Sequence, residues 1–158
     1  MSFGQALHNL SLHKSAINRV CFAAIAVFLT VKLHSAPTYK LGHYAGKVEA
    51  LLKDLDGNAT FAVLEQNATI RVSDGFFTGK RSIAEFHGPK SSTIRMGSEV
   101  TAELEGPHTV YLAAGTIRVC LPKETRFSVR SNVASASYEG RGTFFIECTG
   151  NGGFKIIH

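Results

Sequence analysis

Apolar and polar side chains alternate in several segments of the chain beyond residue 60, the period of a strand with one covered face. In Thr116–Leu121 the residues Ile117, Val119 and Leu121 share one face, and in Thr125–Arg130 Phe127 and Val129 do so. Thr69–Ser73 and Ser82–Phe86 carry the same pattern, and Thr143–Cys148 reads as a strand with Phe144 and Ile146 inward. These stretches are rich in Thr, Val, Ile and Phe, which suit a pleated, half-covered surface. Between Tyr44 and Leu55, Val48, Leu51, Leu52 and Leu55 have helical spacing, but Val48, Ala50 and Leu52 also alternate, and a first strand is the preferred reading. Turn signals punctuate the pattern at Asp56-Gly57-Asn58, Asp74-Gly75, His87-Gly88-Pro89, Glu105-Gly106-Pro107, Glu139-Gly140 and Asn151-Gly152-Gly153. The expectation is an all-β domain, a single compact β-roll, solenoid-like unit or sandwich, preceded by an N-terminal hydrophobic helix.

That helix comes from an uncharged run of twelve residues, Val20–Val31. As a helix it is about 18 Å long, short of the roughly 30 Å hydrocarbon core of a bilayer. Lys14 and Arg19 precede it, and small or polar residues follow, which is the layout of a secretory signal. Cleavage after Ala36 puts His34 where a small residue is preferred and Pro37 after the cut. Three readings stand: a cleaved signal, an uncleaved anchor through residues 20–31, and a buried helix of a soluble protein. The expected organisation is a signal or anchor over 1–36, a linker over 37–44 and the β-domain over 45–158. The first two readings place that domain outside the cytoplasm, in the periplasm or extracellular space.

Charge agrees with this division. The net charge is +5, and no Asp or Glu precedes Glu49, whereas five basic residues do. From Glu49 onward twelve basic residues face twelve acidic ones, so the body is formally neutral. A nucleic-acid surface needs its basic excess on the folded body, so none is expected as a partner.

The order of short motifs resembles the FecR-like domain, an extracytoplasmic module of the iron-citrate sensor type. The residues that carry the resemblance are Gly46-Lys47-Val48 with the Asp56-Gly57-Asn58 turn and Ile70–Asp74; Thr78-Gly79-Lys80-Arg81-Ser82-Ile83-Ala84-Glu85-Phe86; Ile94-Arg95-Met96-Gly97-Ser98-Glu99-Val100-Thr101; Gly115–Val119; and Phe127–Ala136 with Arg141-Gly142-Thr143-Phe144-Phe145. The resemblance implies an all-β, non-enzymatic domain of bacterial type that contacts an envelope protein in signal sensing or transmission. About nineteen residues precede the apolar run, too few to fold an anti-sigma region, so a short form lacking that region is expected. The alternative is a structural protein, or one that binds polysaccharide or peptidoglycan.

Chemistry-bearing residues add little. Asp54-Leu55-Asp56-Gly57-Asn58 with Glu65 at the twelfth position mimics a calcium loop, but Ala59 stands where glycine makes the sharp turn. Cys120 belongs to the Thr116/Arg118 face and Cys148 to the Phe144/Ile146 face, so they bridge only if those faces meet. Cys21 lies in the apolar run, and His8, His13, His34, His43, His87, His108 and His158 show no metal-pair spacing. Gly140-Arg141-Gly142-Thr143 lacks the Lys-Ser/Thr of a phosphate loop and reads as a structural turn. The sequons at Asn58 and Asn67 matter only in a glycosylating pathway. No catalytic, cofactor-binding or metal residues are therefore expected, and no cofactor.

Overall fold

The computed structural model describes residues 37–54 and 56–158; the expected signal or anchor lies outside the described residues. Among the described residues, eleven strands form a single antiparallel sheet curled into a half-barrel. They are β1 (Thr38–Ala45), β2 (Val48–Lys53), β3 (Ala59–Val63), β4 (Thr69–Arg71), β5 (Gly75–Thr78), β6 (Ile83–His87), β7 (Thr93–Met96), β8 (Thr101–Gly106), β9 (Thr109–Arg130), β10 (Ser135–Cys148) and β11 (Phe154–Ile157). The hydrogen-bonded order is β3-β2-β5-β8-β9-β7-β6-β1-β4, with β10 on β9 and β11 on β10. Among the described residues there is no α-helix, and no helix is long and apolar enough to cross a membrane.

The all-β expectation holds, and β2 is a strand with Val48 and Ala50 buried. Residues 37–44 correct the linker expectation. Thr38–Tyr44 belong to β1, which pairs with both β4 and β6 and buries Tyr39 and Leu41 completely. Gly42 and His43 hide this strand in the sequence, because the register slips between Leu41 and His43 and the alternation breaks.

The separate strands expected at 116–121 and 125–130 are one. β9 runs unbroken for 22 residues. Pro122, Lys123 and Glu124, which look like a break, are absorbed in a bulge: the register jumps from Gly140↔Thr125 to Gly142↔Leu121. Proline is tolerated there because a bulge frees it from donating to the ladder. Glu139-Gly140 and Gly140–Thr143 are accordingly not turns but the β10 side of that bulge.

A second irregularity, in the β8–β9 pairing, lies just before Gly115. Val110 and Leu112 are buried before it, Ile117, Val119 and Leu121 after it, so inward positions switch from even to odd numbers. One extra residue in a strand of period two produces that switch. Gly115 takes φ +88°, and a Cβ there would sit 2.8 Å from Cα of Val100, so both conformation and space require glycine.

The core lines the inside of the curl, with Tyr39, Phe76, Phe86, Met96, Leu112 and Phe127 among its fully buried side chains. Asp74 joins strands from opposite ends of the order. Its side chain is buried; Oδ1 accepts the Lys53 amide at the end of β2 (2.9 Å), and Oδ2 the Arg71 amide at the end of β4 (2.7 Å). A carboxylate suits this place because it accepts from two backbone donors at once.

Candidate functional site

The bend of β9 brings its second half, with β10, back over the start of the strand. Phe127 and Val129 of β9 and Ala136, Tyr138, Phe144 and Ile146 of β10 alternate onto the concave side, and Ile156 of β11 adds a wall. They enclose an open groove of about 260 Å³, lined almost entirely by carbon. Phe144 packs against both Phe127 and Tyr138, with ring centroids 5.9 and 4.9 Å apart. The Tyr138 hydroxyl donates to the Arg141 carbonyl (2.7 Å), so the groove floor offers no free polar atom from that residue. Aromatic packing of this kind makes a rigid wall rather than a reactive one.

A second, polar cleft of about 270 Å³ lies where β2 and β3 approach β4. Lys53, Asp54, Asn58, Thr60, Thr69 and Arg71 line it. Lys53 Nζ is held by Glu103 at 3.2 Å.

The calcium-like stretch is a hairpin, not a loop. Asp54 Oδ1 accepts the amides of Asp56 (2.9 Å) and Asn58 (2.8 Å), and Oδ2 accepts Asn58 Nδ2 (3.0 Å). The Asn58 side chain, then the turn amides, hold this carboxyl below its ordinary range. Glu65 sits beyond β3, at the far end of the hairpin, roughly 20 Å away at the rise of a strand. One metal ion cannot take both as ligands.

Cys120 and Cys148 are both free thiols. Cys120 pairs with Thr143, so Cys148 lies five residues further along β10, roughly 17 Å at strand rise. A disulfide needs Cα atoms within about 7 Å. Burial pushes the Cys148 thiol up from its ordinary value, and its Sγ lies 3.4 Å from the Ala113 carbonyl.

The histidines among the described residues are dispersed. His43 and His87 are exposed on β1 and β6, with His87 Nε2 3.6 Å from Glu85. His158 stacks beside Tyr138 at one end of the apolar groove, centroids 5.9 Å apart. His108 is half-buried in the β8–β9 turn, its Nδ1 enclosed without a hydrogen-bond partner. Burial, and then the charge of Lys90, depress its pKa. Among the described residues no three metal-binding side chains converge. Asn58 and Asn67 are exposed in turns.

The resemblance motifs do converge, at one end of the curl. The Lys47 amide donates to Ser82 Oγ (2.9 Å), and the Gly79 amide to the Lys47 carbonyl (3.0 Å). Thr78 Oγ1 donates to the Gly97 carbonyl (2.7 Å) and accepts the Val100 amide (3.0 Å). Ser98 Oγ donates to the Ser82 carbonyl (3.2 Å), and the Gly97 amide to that of Thr116 (3.0 Å). Four motif blocks thus meet in one hydrogen-bonded junction. The sequence marked these residues; it did not mark the groove, whose walls come from three strands.

Fold and surface together define a class: an all-β domain of one curled antiparallel sheet with an apolar groove beside an open sheet edge. Compared with family models, curated proteins and solved structures, the chain matches none of them.

Proposed function

We propose that the chain is an exported, non-enzymatic interaction module of FecR-like type, its roll-like β-domain meeting a protein partner at the cell envelope in signal sensing or transmission. The observation that carries this reading is the convergence of the Gly46, Thr78–Ser82, Gly97–Ser98 and Gly115 blocks at one junction. Motifs scattered through the chain that meet in space behave as the recurrent joints of one fold, and they contain no nucleophile–base pair. Export is supported by Lys14, Arg19 and the uncharged run after them. Function then rests on surfaces rather than chemistry. The test is fractionation with site-directed crosslinking: the tagged chain is expected in the envelope fraction, joined to a defined protein. A cytosolic product that keeps its first forty residues sinks the proposal.

A second reading, binding of polysaccharide or peptidoglycan, has the polar cleft beside β4 in its favour, where Asn58, Thr60, Thr69 and Arg71 offer hydrogen-bonding groups. Co-sedimentation with purified peptidoglycan, lost in Arg71→Ala, is its expected signature.

A further inference from the structure

We infer that the outer edge of β10 from Ser135 to Glu139 is a docking site for an extended segment of another polypeptide, which adds as a strand and places alternate apolar side chains in the adjoining groove. This rests on the interaction-module reading and names the mode of contact. β11 covers that edge only from Phe145 to Cys148, so among the described residues the Ser135–Glu139 stretch has a strand on one side alone. Half of its backbone donors and acceptors therefore face solvent in the repeating pattern that another strand satisfies. The apolar groove lies against this open edge, walled by Phe127, Val129, Ala136, Tyr138, Phe144 and Ile156.

The two features together select the occupant. A lipid chain would fill the groove and leave the edge to water; an extended peptide uses both. β11 already displays the geometry, adding antiparallel to the same edge with Ile156 opposite Ile146 on the groove side and Ile157 opposite Phe145 on the outer side. A segment continuing that line sets apolar residues opposite Ala136 and Tyr138, a small polar residue opposite Ser137 and a basic residue opposite Glu139. The basic residue follows from the Glu139 carboxylate on the exposed face. The Gly140–Gly142 bulge ends the site, because it disrupts the edge geometry there.

The test uses the full chain, labelled with nitrogen-15, and a blocked heptapeptide Thr-Lys-Val-Thr-Val-Thr-Thr, with an isomer of the same composition whose valines are adjacent as control. Millimolar peptide is expected to slow amide exchange at least tenfold at alternate residues between Ser135 and Glu139. The isomer and Ala136→Glu, which aims a charge into the groove, are expected to bind at least tenfold more weakly. Equal binding by the isomer overturns the inference, as do shifts in groove side chains without edge protection. So does protection already present in the free chain together with concentration-dependent self-association, which makes a second copy the occupant. If Ala136→Glu does not fold, the exchange pattern of the unaltered chain decides. An envelope partner that crosslinks elsewhere ends this inference and spares the interaction-module reading; peptide binding by a chain that is never exported does the reverse.

Discussion

The amide of Ser128 donates a 2.9 Å hydrogen bond to the carbonyl of His108, although Ser128 lies near the end of β9 and His108 immediately precedes its start. A straight strand of that length would hold them roughly 65 Å apart. Two neighbouring links repeat the closure: the Tyr111 hydroxyl bonds Asn132, and Arg130 pairs with Glu105 at 3.3 Å. The groove beside β10 exists because β9 bends back in this way.

Gly115 directly follows a register irregularity of β9, and Gly115→Ala is expected to cost about 2 kcal/mol or more, from the left-handed backbone and the approach to Val100. Urea denaturation would show a lower midpoint with the slope unchanged. Gly150→Ala, whose Cβ meets nothing within 4 Å and whose φ is not positive, is the control expected to stay near the parent.

Asp74→Ala should destabilise by about 2 kcal/mol, since it leaves two part-buried amides, those of Lys53 and Arg71, without their acceptor. Amide exchange is expected to rise first at the ends of β2 and β4. A loss confined to β5 instead would show that Asp74 does not join the two sides.

His108 makes stability fall with acid. Its folded pKa is depressed, so below the ordinary value near 6.5 the unfolded chain binds the proton that the folded chain refuses. Its contribution is fully present above that value and is lost as pH drops towards the folded pKa. His108→Gln should flatten the fall of the thermal midpoint as pH drops below about 6.5. Asp54 acts in a separate window: its pKa is also depressed, so its contribution is present above the ordinary value of 3.8 and is lost as pH falls through the folded pKa.

Alkylation without reductant should label both Cys120 and Cys148, with Cys148 reacting at higher pH than an ordinary thiol because burial raises its pKa. Mass spectrometry reading an unlabelled, linked pair of peptides would contradict the strand register.

Much of the fold was legible in local alternation. Ile117, Val119 and Leu121, Phe127 and Val129, and Phe144 and Ile146 point inward as their spacing says. β3 was hidden, because Asp54–Glu65 imitates a metal loop and both faces of the strand are largely exposed. β5 was hidden for the opposite reason: Gly75 and Phe76 are both buried, so no alternation marks it. Only the assembled sheet shows that Pro122–Glu124 form a bulge and not a break.

Side-chain period is a property of two or three neighbouring residues, so sequence alone determined that the body is built of strands and which face of many of them is apolar. Which strands pair, where β9 bends and which edge is left open depend on contacts between residues far apart in the chain. Those contacts, and the groove they enclose beside β10, were decided only by the tertiary structure, because hydrogen-bond partners across a sheet carry no local signal.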